Sequence, residues 1–192
     1  MTIAALTTYR SEEHPNMLWL EVETGDGVTG LGETFYAAEA VEAYVHANLA
    51  PIVMGLSAID IEAVHHRTRP YIGFVAASVE LRARSALDIA LWDALGKFTG
   101  QPVSVLLGGR IREQIPVYNT CAGTQYVRGP KVGKTENFGI QSKGKAGEYE
   151  DLHGFLNDPV SLAGSLLDMG IDSMKIWPFD FAAEATQGQF IS

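Results

Sequence analysis

Cysteine is almost missing from this chain: Cys121 stands alone among 192 residues. One thiol excludes an internal disulfide framework and any cysteine-built zinc or iron–sulfur site, and it fits a reducing compartment. Positive charge is also scarce. With 14 Lys+Arg against 23 Asp+Glu the formal net charge is −9, so nothing neutralises a phosphate backbone or an anionic bilayer, and neither a nucleic acid nor a membrane is expected as partner. Long hydrophobic runs are absent too. Asp, Glu, Arg or Gly interrupts every apolar stretch before the roughly 18 residues of a membrane span. Met1–Arg10 lacks the charged start and apolar run of a signal peptide. A cytoplasmic protein is expected. What the chain does have is apolar material, 46% hydrophobic and 19% charged residues, enough for a packed core.

Ile3–Tyr9 and Met17–Thr24, rich in Thr, Leu, Val and aromatics, read as strands joined by the polar loop Arg10–Asn16. Gly25-Asp26-Gly27 supplies a tight turn, and Val28–Phe35 is the third strand of an antiparallel meander. Apolar spacing then predicts a helix over Ala37–Ala50 closed by Pro51, and a second over Ile61–Arg69 with Asp60 as N-cap. A third runs from about Ala76 to Thr99. Its buried face is Ala83, Leu87, Ala90, Leu91, Ala94, Leu95 and Phe98, and Gly100 with Pro102 ends it. Beyond Gly108-Gly109 the texture becomes βαβ. Ile115–Cys121 reads as a strand buried on both faces, Pro159–Met169 as a helix capped by Asp158, and Ser173–Trp177 as a second buried strand. Between them Thr124–Gly154 reads as a loop without clear period, of the length usual for a lid, a binding loop or an insertion.

The letters Gly25-Asp26-Gly27-Val28-Thr29-Gly30 fit G-x-G-x-x-G. A dinucleotide fingerprint needs a helix after it, and here a strand follows, so a hairpin is expected. His65 and His66 are adjacent on a helix, diverge, and do not share a metal as an i, i+4 pair does. Asp88 and Asp93 are five apart, which argues for structural service. Cys121 ends an apolar strand and reads as packing. His14, in a loop beside Pro15, is placed where a scaffold presents a side chain to a ligand, and a plain surface histidine is an equal reading.

The strongest signal is long: Arg84-Ser85-Ala86-Leu87-Asp88-Ile89-Ala90-Leu91-Trp92-Asp93-Ala94-Leu95-Gly96-Lys97, then Gln101-Pro102-Val103 and Leu106-Leu107-Gly108-Gly109. With Gly30-Leu31-Gly32-Glu33-Thr34, Ile115-Pro116-Val117-Tyr118 and Met174-Lys175-Ile176-Trp177-Pro178-Phe179-Asp180, this block resembles the mandelate racemase and muconate lactonising enzyme branch of the enolase superfamily.

The resemblance implies an α+β capping domain over 1–112, an antiparallel meander plus helices, followed over 113–192 by the first strands of a truncated TIM barrel with an insertion at about 124–154. It implies Mg2+ in the full-length family, proton abstraction α to a carboxylate, a sugar acid or similar carboxylate-bearing small molecule as substrate, and a homo-oligomer. The family's second barrel strand usually reads Lys-x-Lys, the second lysine acting as base. Here Lys175 holds the first place and Trp177 the second, and an indole is no proton acceptor. Lys175 is thus the expected catalytic residue, polarising the carboxylate; Trp177 and His14, in the loop that closes over substrate, are expected to bind it. One missing base favours dehydration over two-face racemisation. After a cap of about 115 residues only about 77 remain, enough for two strands of eight. The metal-binding acids and a histidine base would then lie beyond Ser192. An N-terminal part of an acid-sugar dehydratase is the first reading; a non-catalytic truncated cap module serving association with another chain is the second.

Overall fold

The computed structural model describes residues 1–71, 77–123, 150–177, 179, 180, 182 and 186. They fall into two compact units, Met1–Ile111 and Arg112–Ser192.

The first unit opens with β1 (Ile3–Tyr9), β2 (Met17–Thr24) and β3 (Thr29–Phe35), an antiparallel sheet in the order β1-β2-β3. Alternation along β2 sends Leu18, Leu20 and Val22 inward, all fully buried, as a period-2 pattern requires. The Gly25–Gly27 turn closes with the Thr24 N–H on the Val28 carbonyl at 2.9 Å, and Gly27 takes the positive φ of 79°. The glycine-rich letters are therefore a hairpin.

Helices follow as α1 (Ala38–Tyr44), a π-helical turn over Val45–Leu49, α2 (Ala50–Val53), α3 (Ile61–Thr68), α4 (Val79–Thr99) and α5 (Val103–Leu106). Pro51 does not end the first helix. The Ala50 N–H reaches back five residues to the Val45 carbonyl, and this wider turn relieves the clash between a proline ring and the carbonyl four residues before it. Asp60 does stand at the N-cap of α3, but its side chain makes no capping bond. The helix expected from Ala76 starts at Val79; residues 72–76 lie outside the described residues. Gly100 ends α4 in the left-handed conformation, φ 65°.

The packing of α4 against β3 sets the architecture of this unit. A Cβ on Gly30 would collide with the Ala90 carbonyl oxygen, and one on Gly32 with that of Ala86. Two glycines on the strand and alanines on the helix let the backbones touch. Arg84 and Ala86 join the buried face of α4, whereas Phe98, expected inside, is 55% exposed. Its turn lies at the end of the strand, where the Lys97 ammonium donates to the carbonyl of Thr29, the first residue of β3.

The second unit holds α6 (Asp151–Asn157) and α7 (Pro159–Asp168). Asp158 caps α7 by accepting the Ser161 N–H at 3.1 Å and hydroxyl at 2.7 Å, with Pro159 at the first helical position. Of the loop expected over Thr124–Gly154, residues 151–154 are the first turn of α6, and 124–149 lie outside the described residues. The two expected strands are extended segments joined by one parallel bridge, Asn119 to Met174. Their flanks are not buried on both faces: Ile115 and Tyr118 are 76% and 62% exposed. A strand buried on both faces needs pairing along its length and covering helices; among the described residues this one is paired at Asn119 alone, and Pro116 has no N–H to offer.

Candidate functional site

Lys175 and Trp177 are two apart on an extended segment, so their side chains leave the backbone on the same side. The bridge fixes that segment: the Asn119 N–H donates to the Ser173 carbonyl at 2.9 Å, and the Lys175 N–H to the Asn119 carbonyl at 2.7 Å. The Lys175 ammonium stands 4.0 Å from the centre of the Trp177 ring, within the range where the negative face of an indole attracts a cation. The ring is held in turn by its Nε1–H, which donates to the Thr120 carbonyl at 2.7 Å. Lys175 is exposed and Trp177 half-buried. The result is a cation presented at the surface on an aromatic platform.

Next to this pair, the Asn119 Nδ2 donates to Asp151 Oδ2 at 2.8 Å, and its Oδ1 accepts the Cys121 N–H at 2.6 Å. Cys121 is fully buried with a positive φ of 49°. Burial, with the Asp151 carboxylate adding, pushes its thiol up. The neutral thiol fills space, as a packing residue does. Reading the sequence residue by residue misses Asn119 and Asp151; they are 32 positions apart, and only the fold joins them.

His14 lies in the first unit, half-buried in the β1–β2 loop, its carbonyl accepting the Met17 N–H at 2.9 Å. The structure thus brings Lys175 and Trp177 together and places His14 in the other unit. The start of that loop is clamped by Arg10, whose guanidinium reaches Glu42 at 2.9 Å and Glu39 at 3.2 Å on α1, a pairing the sequence reading did not single out. His65 and His66 are both exposed on α3.

A shallow groove of about 400 Å³ also runs between β3 and the start of α4, lined by Glu33, Phe35, Leu81, Arg82 and Ser85 among others. Its charges are engaged. Arg82 donates to the Phe35 carbonyl at 2.7 Å and lies over the Phe35 and Tyr36 rings, while Glu33 accepts the Trp19 indole N–H at 3.0 Å. Among the described residues no group of three or more His, Cys, Asp or Glu is placed to hold a metal ion. Among the same residues no helix is long and apolar enough to cross a membrane.

Comparison with known proteins bears on both units. The family described as mandelate racemase / muconate lactonizing enzyme, N-terminal domain, matches residues 3–108. The D-galactonate dehydratase of Xanthomonas campestris pv. campestris (strain B100) is 38% identical over 128 residues, 64% of this chain and 32% of that protein. The crystal structure of an enolase of the mandelate racemase subgroup from Agrobacterium tumefaciens, containing a succinimide residue, sodium and phosphate, is similar at 42% identity and a TM-score of 0.75. It covers 100% of this chain and 42% of its own. A mandelate racemase/muconate lactonizing protein from Paracoccus denitrificans PD1222, complexed with magnesium, is similar at 27% identity and a TM-score of 0.56, over 65% of this chain and 35% of its own. The chain spans about a third of the length of the curated relative. The three-stranded sheet and its helices are an N-terminal α+β capping domain of this kind.

Proposed function

Because the chain belongs to the mandelate racemase / muconate lactonizing enzyme family of the enolase superfamily, we propose that it carries the cap and the first parallel pair of barrel strands of a magnesium-dependent acid-sugar dehydratase. The cap spans residues 1–112, and 113–192 begin a TIM barrel with an insertion at about 124–154. The parallel bridge between Asn119 and Met174 supports the barrel reading, since parallel neighbours joined by helices are its repeating unit. The substrate is a sugar acid, as the name of the D-galactonate dehydratase suggests, and the working state is a cytoplasmic homo-oligomer.

One observation carries the chemistry: the Lys175 ammonium rests on Trp177, at the place where the family resemblance puts a second lysine. Trp177 accepts no proton, so this segment offers a cation and no base at that place. Abstraction of a proton from both faces of an α-carbon needs two bases, whereas loss of a β-hydroxyl after one abstraction needs one. The arrangement therefore favours dehydration. Lys175 draws the substrate carboxylate electrostatically and stabilises charge that develops on it, Trp177 forms the apolar wall beside it, and His14 contributes from the β1–β2 loop. Magnesium is expected from the family, one relative being a magnesium complex. Among the described residues of this chain no group of three or more His, Cys, Asp or Glu is placed to hold it. The relatives compared bear the names of enzymes, which lends no support to a non-catalytic cap module.

The test is an assay of the protein carrying a complete barrel against a panel of aldonic and aldaric acids with magnesium present, reading 2-keto-3-deoxy acid and α-deuterium exchange; residues 1–192 by themselves are expected to give no turnover. Dehydration of at least one acid, with Lys175→Ala lowering kcat far more than it raises KM, is the expected result. Epimerisation without dehydration would overturn it, and an unchanged kcat in Lys175→Ala would return that residue to structure.

A further inference from the structure

Lys175 has a long, flexible side chain, and a backbone bridge fixes its Cα without fixing its ammonium. The ammonium is located by the Trp177 ring, and the plane of that ring by its bond to the Thr120 carbonyl. The Thr120 C=O and the Cys121 N–H belong to one planar peptide group. Trp177 therefore grips one side of that plane, and the Asn119 side chain grips the other, through Oδ1 on the Cys121 N–H at 2.6 Å. A plane held at both sides does not rock. Its orientation is also unusual, because Cys121 has no glycine's freedom and yet sits at φ 49°, a conformation that persists only where surrounding bonds enforce it.

Asn119 itself is oriented by Asp151. A carboxylate only accepts hydrogen bonds, so the amide must turn its Nδ2 to Asp151 Oδ2, at 2.8 Å, and its Oδ1 to Cys121. The main chain of Asn119 meanwhile exchanges bonds with Ser173 and Lys175. We propose that Asn119 is a positioning residue for Lys175, relaying the fixed orientation of Asp151 through the 120–121 peptide plane and the Trp177 ring to the Lys175 ammonium. The consequence for turnover rests on the dehydratase reading above; the placement itself does not.

The experiment separates the two. The ε-methylene of Lys175, bonded to the ammonium that stands over the indole, is expected to carry an upfield ring-current shift that NMR reads on the full chain without any substrate. Trp177→Leu removes it as the positive control. The shift is expected to collapse in Asn119→Ala and to survive in Asp151→Asn, which keeps a carbonyl oxygen facing Nδ2. Asp151→Ala, which leaves Asn119 untouched, is expected to weaken it and decides the matter if Asn119→Ala does not fold. Circular dichroism identifies the variants that remain folded. Retention of the full shift in folded Asn119→Ala, or in Asp151→Ala where the former is unfolded, overturns the proposal. In turnover by the protein with a complete barrel, Asn119→Ala is expected to lower kcat about tenfold or more with little change in KM, as misplacement of a reacting group does. Parallel losses of stability with an unmoved Lys175 resonance would assign Asn119 to structure alone. Absence of any sugar-acid turnover by the protein with a complete barrel would sink the dehydratase reading while leaving the NMR result to stand or fall by itself.

Discussion

The Asp93 carboxylate accepts the backbone N–H of Leu31 at 2.8 Å, across 62 residues of chain. Because β3 lies at the edge of the sheet, that N–H faces away from β2 and needs a partner elsewhere, and Asp93 supplies it from the helix that packs on the strand. Lys97, one turn later, bonds both Asp93 at 2.8 Å and the Thr29 carbonyl at 3.0 Å. The Asp93–Lys97 pair of the helix block is a strap holding an edge strand, which also shields the edge from unwanted pairing.

Asp93→Ala is therefore expected to cost about 1 kcal/mol, a charged hydrogen bond discounted for its partial exposure. For a unit of this size that is a fall of roughly 5 °C in Tm. Asp93→Asn keeps an acceptor and is expected to lose less than half as much. A thermal melt in which Asn and Ala behave alike would show that Leu31 finds another partner.

Glycine substitutions divide by what a methyl meets. Gly32→Ala drives a Cβ into the Ala86 carbonyl oxygen, and two backbones packed face to face have nowhere to go. A loss of about 3 kcal/mol or more is expected, with poor soluble yield. Gly164, inside α7, has open space around it, and Gly164→Ala is expected to raise stability by about 0.5–1 kcal/mol through helix propensity. A urea midpoint that does not fall in Gly32→Ala would contradict the packing described for α4 and β3, and one that falls in Gly164→Ala would contradict the open space around that residue.

The sequence is most legible where chemistry is local. The meander shows in the alternation of Leu18, Leu20 and Val22, and Asp158 with Pro159 announces a helix start that the structure supplies. Lys175 and Trp177 are legible as a pair because a strand repeats every two residues. Pro51 misleads, since a period-based reading carries no information about a π turn that accommodates it. The run from Ile115 misleads differently: continuous apolar residues imply two covered faces, and covering is a property of other elements. Asn119 and Asp151 stay hidden because no spacing rule connects residues on opposite sides of residues 124–149.

Two carboxylates are expected to give opposite pH signatures. The Ser161 hydroxyl, and after it the Ser161 N–H, holds the Asp158 carboxyl below the usual range. Its contribution is present above the unfolded value of about 3.9 and is lost as pH falls through the lower folded value. Asp88 is pushed up, chiefly by burial, with His65 and Arg84 pulling back and Glu62 adding to the rise. Its sign is reversed: stability is fullest below about 3.9 and is lost as pH rises through the folded value. Ser161→Ala is expected to raise the Asp158 titration midpoint read by carboxyl NMR. Asp88→Asn is expected to flatten the fall in stability of the first unit above about pH 4. A fall that is unchanged in Asp88→Asn would assign it to another group.

Arg84 carries the last prediction. It is 8% exposed, a guanidinium inside the first unit, yet its bonds are long and go to neutral oxygens: Nε to the Thr68 hydroxyl at 3.4 Å and Nη2 to the His65 carbonyl at 3.5 Å. None of the ion pairs among the described residues includes it. Burying a charge costs several kcal/mol, and marginal bonds to neutral groups recover little of that. The compensation lies in the aliphatic stem that fills the space between α3 and α4, in the cation lying at the carbonyl end of α3, and in its attraction to the Asp88 carboxylate one turn on. If the stem dominates, Arg84→Met keeps the volume, removes the desolvated charge, and leaves stability unchanged within about 1 kcal/mol or improves it. Arg84→Ala opens a cavity and is expected to lose about 2–4 kcal/mol. Thr68 keeps its own bond to the Val64 carbonyl at 3.0 Å in both variants, so neither change orphans that hydroxyl. Urea unfolding of the pair decides the case: equal losses in Met and Ala would mean that the charge at the end of α3, and not the packing of the stem, is what Arg84 contributes.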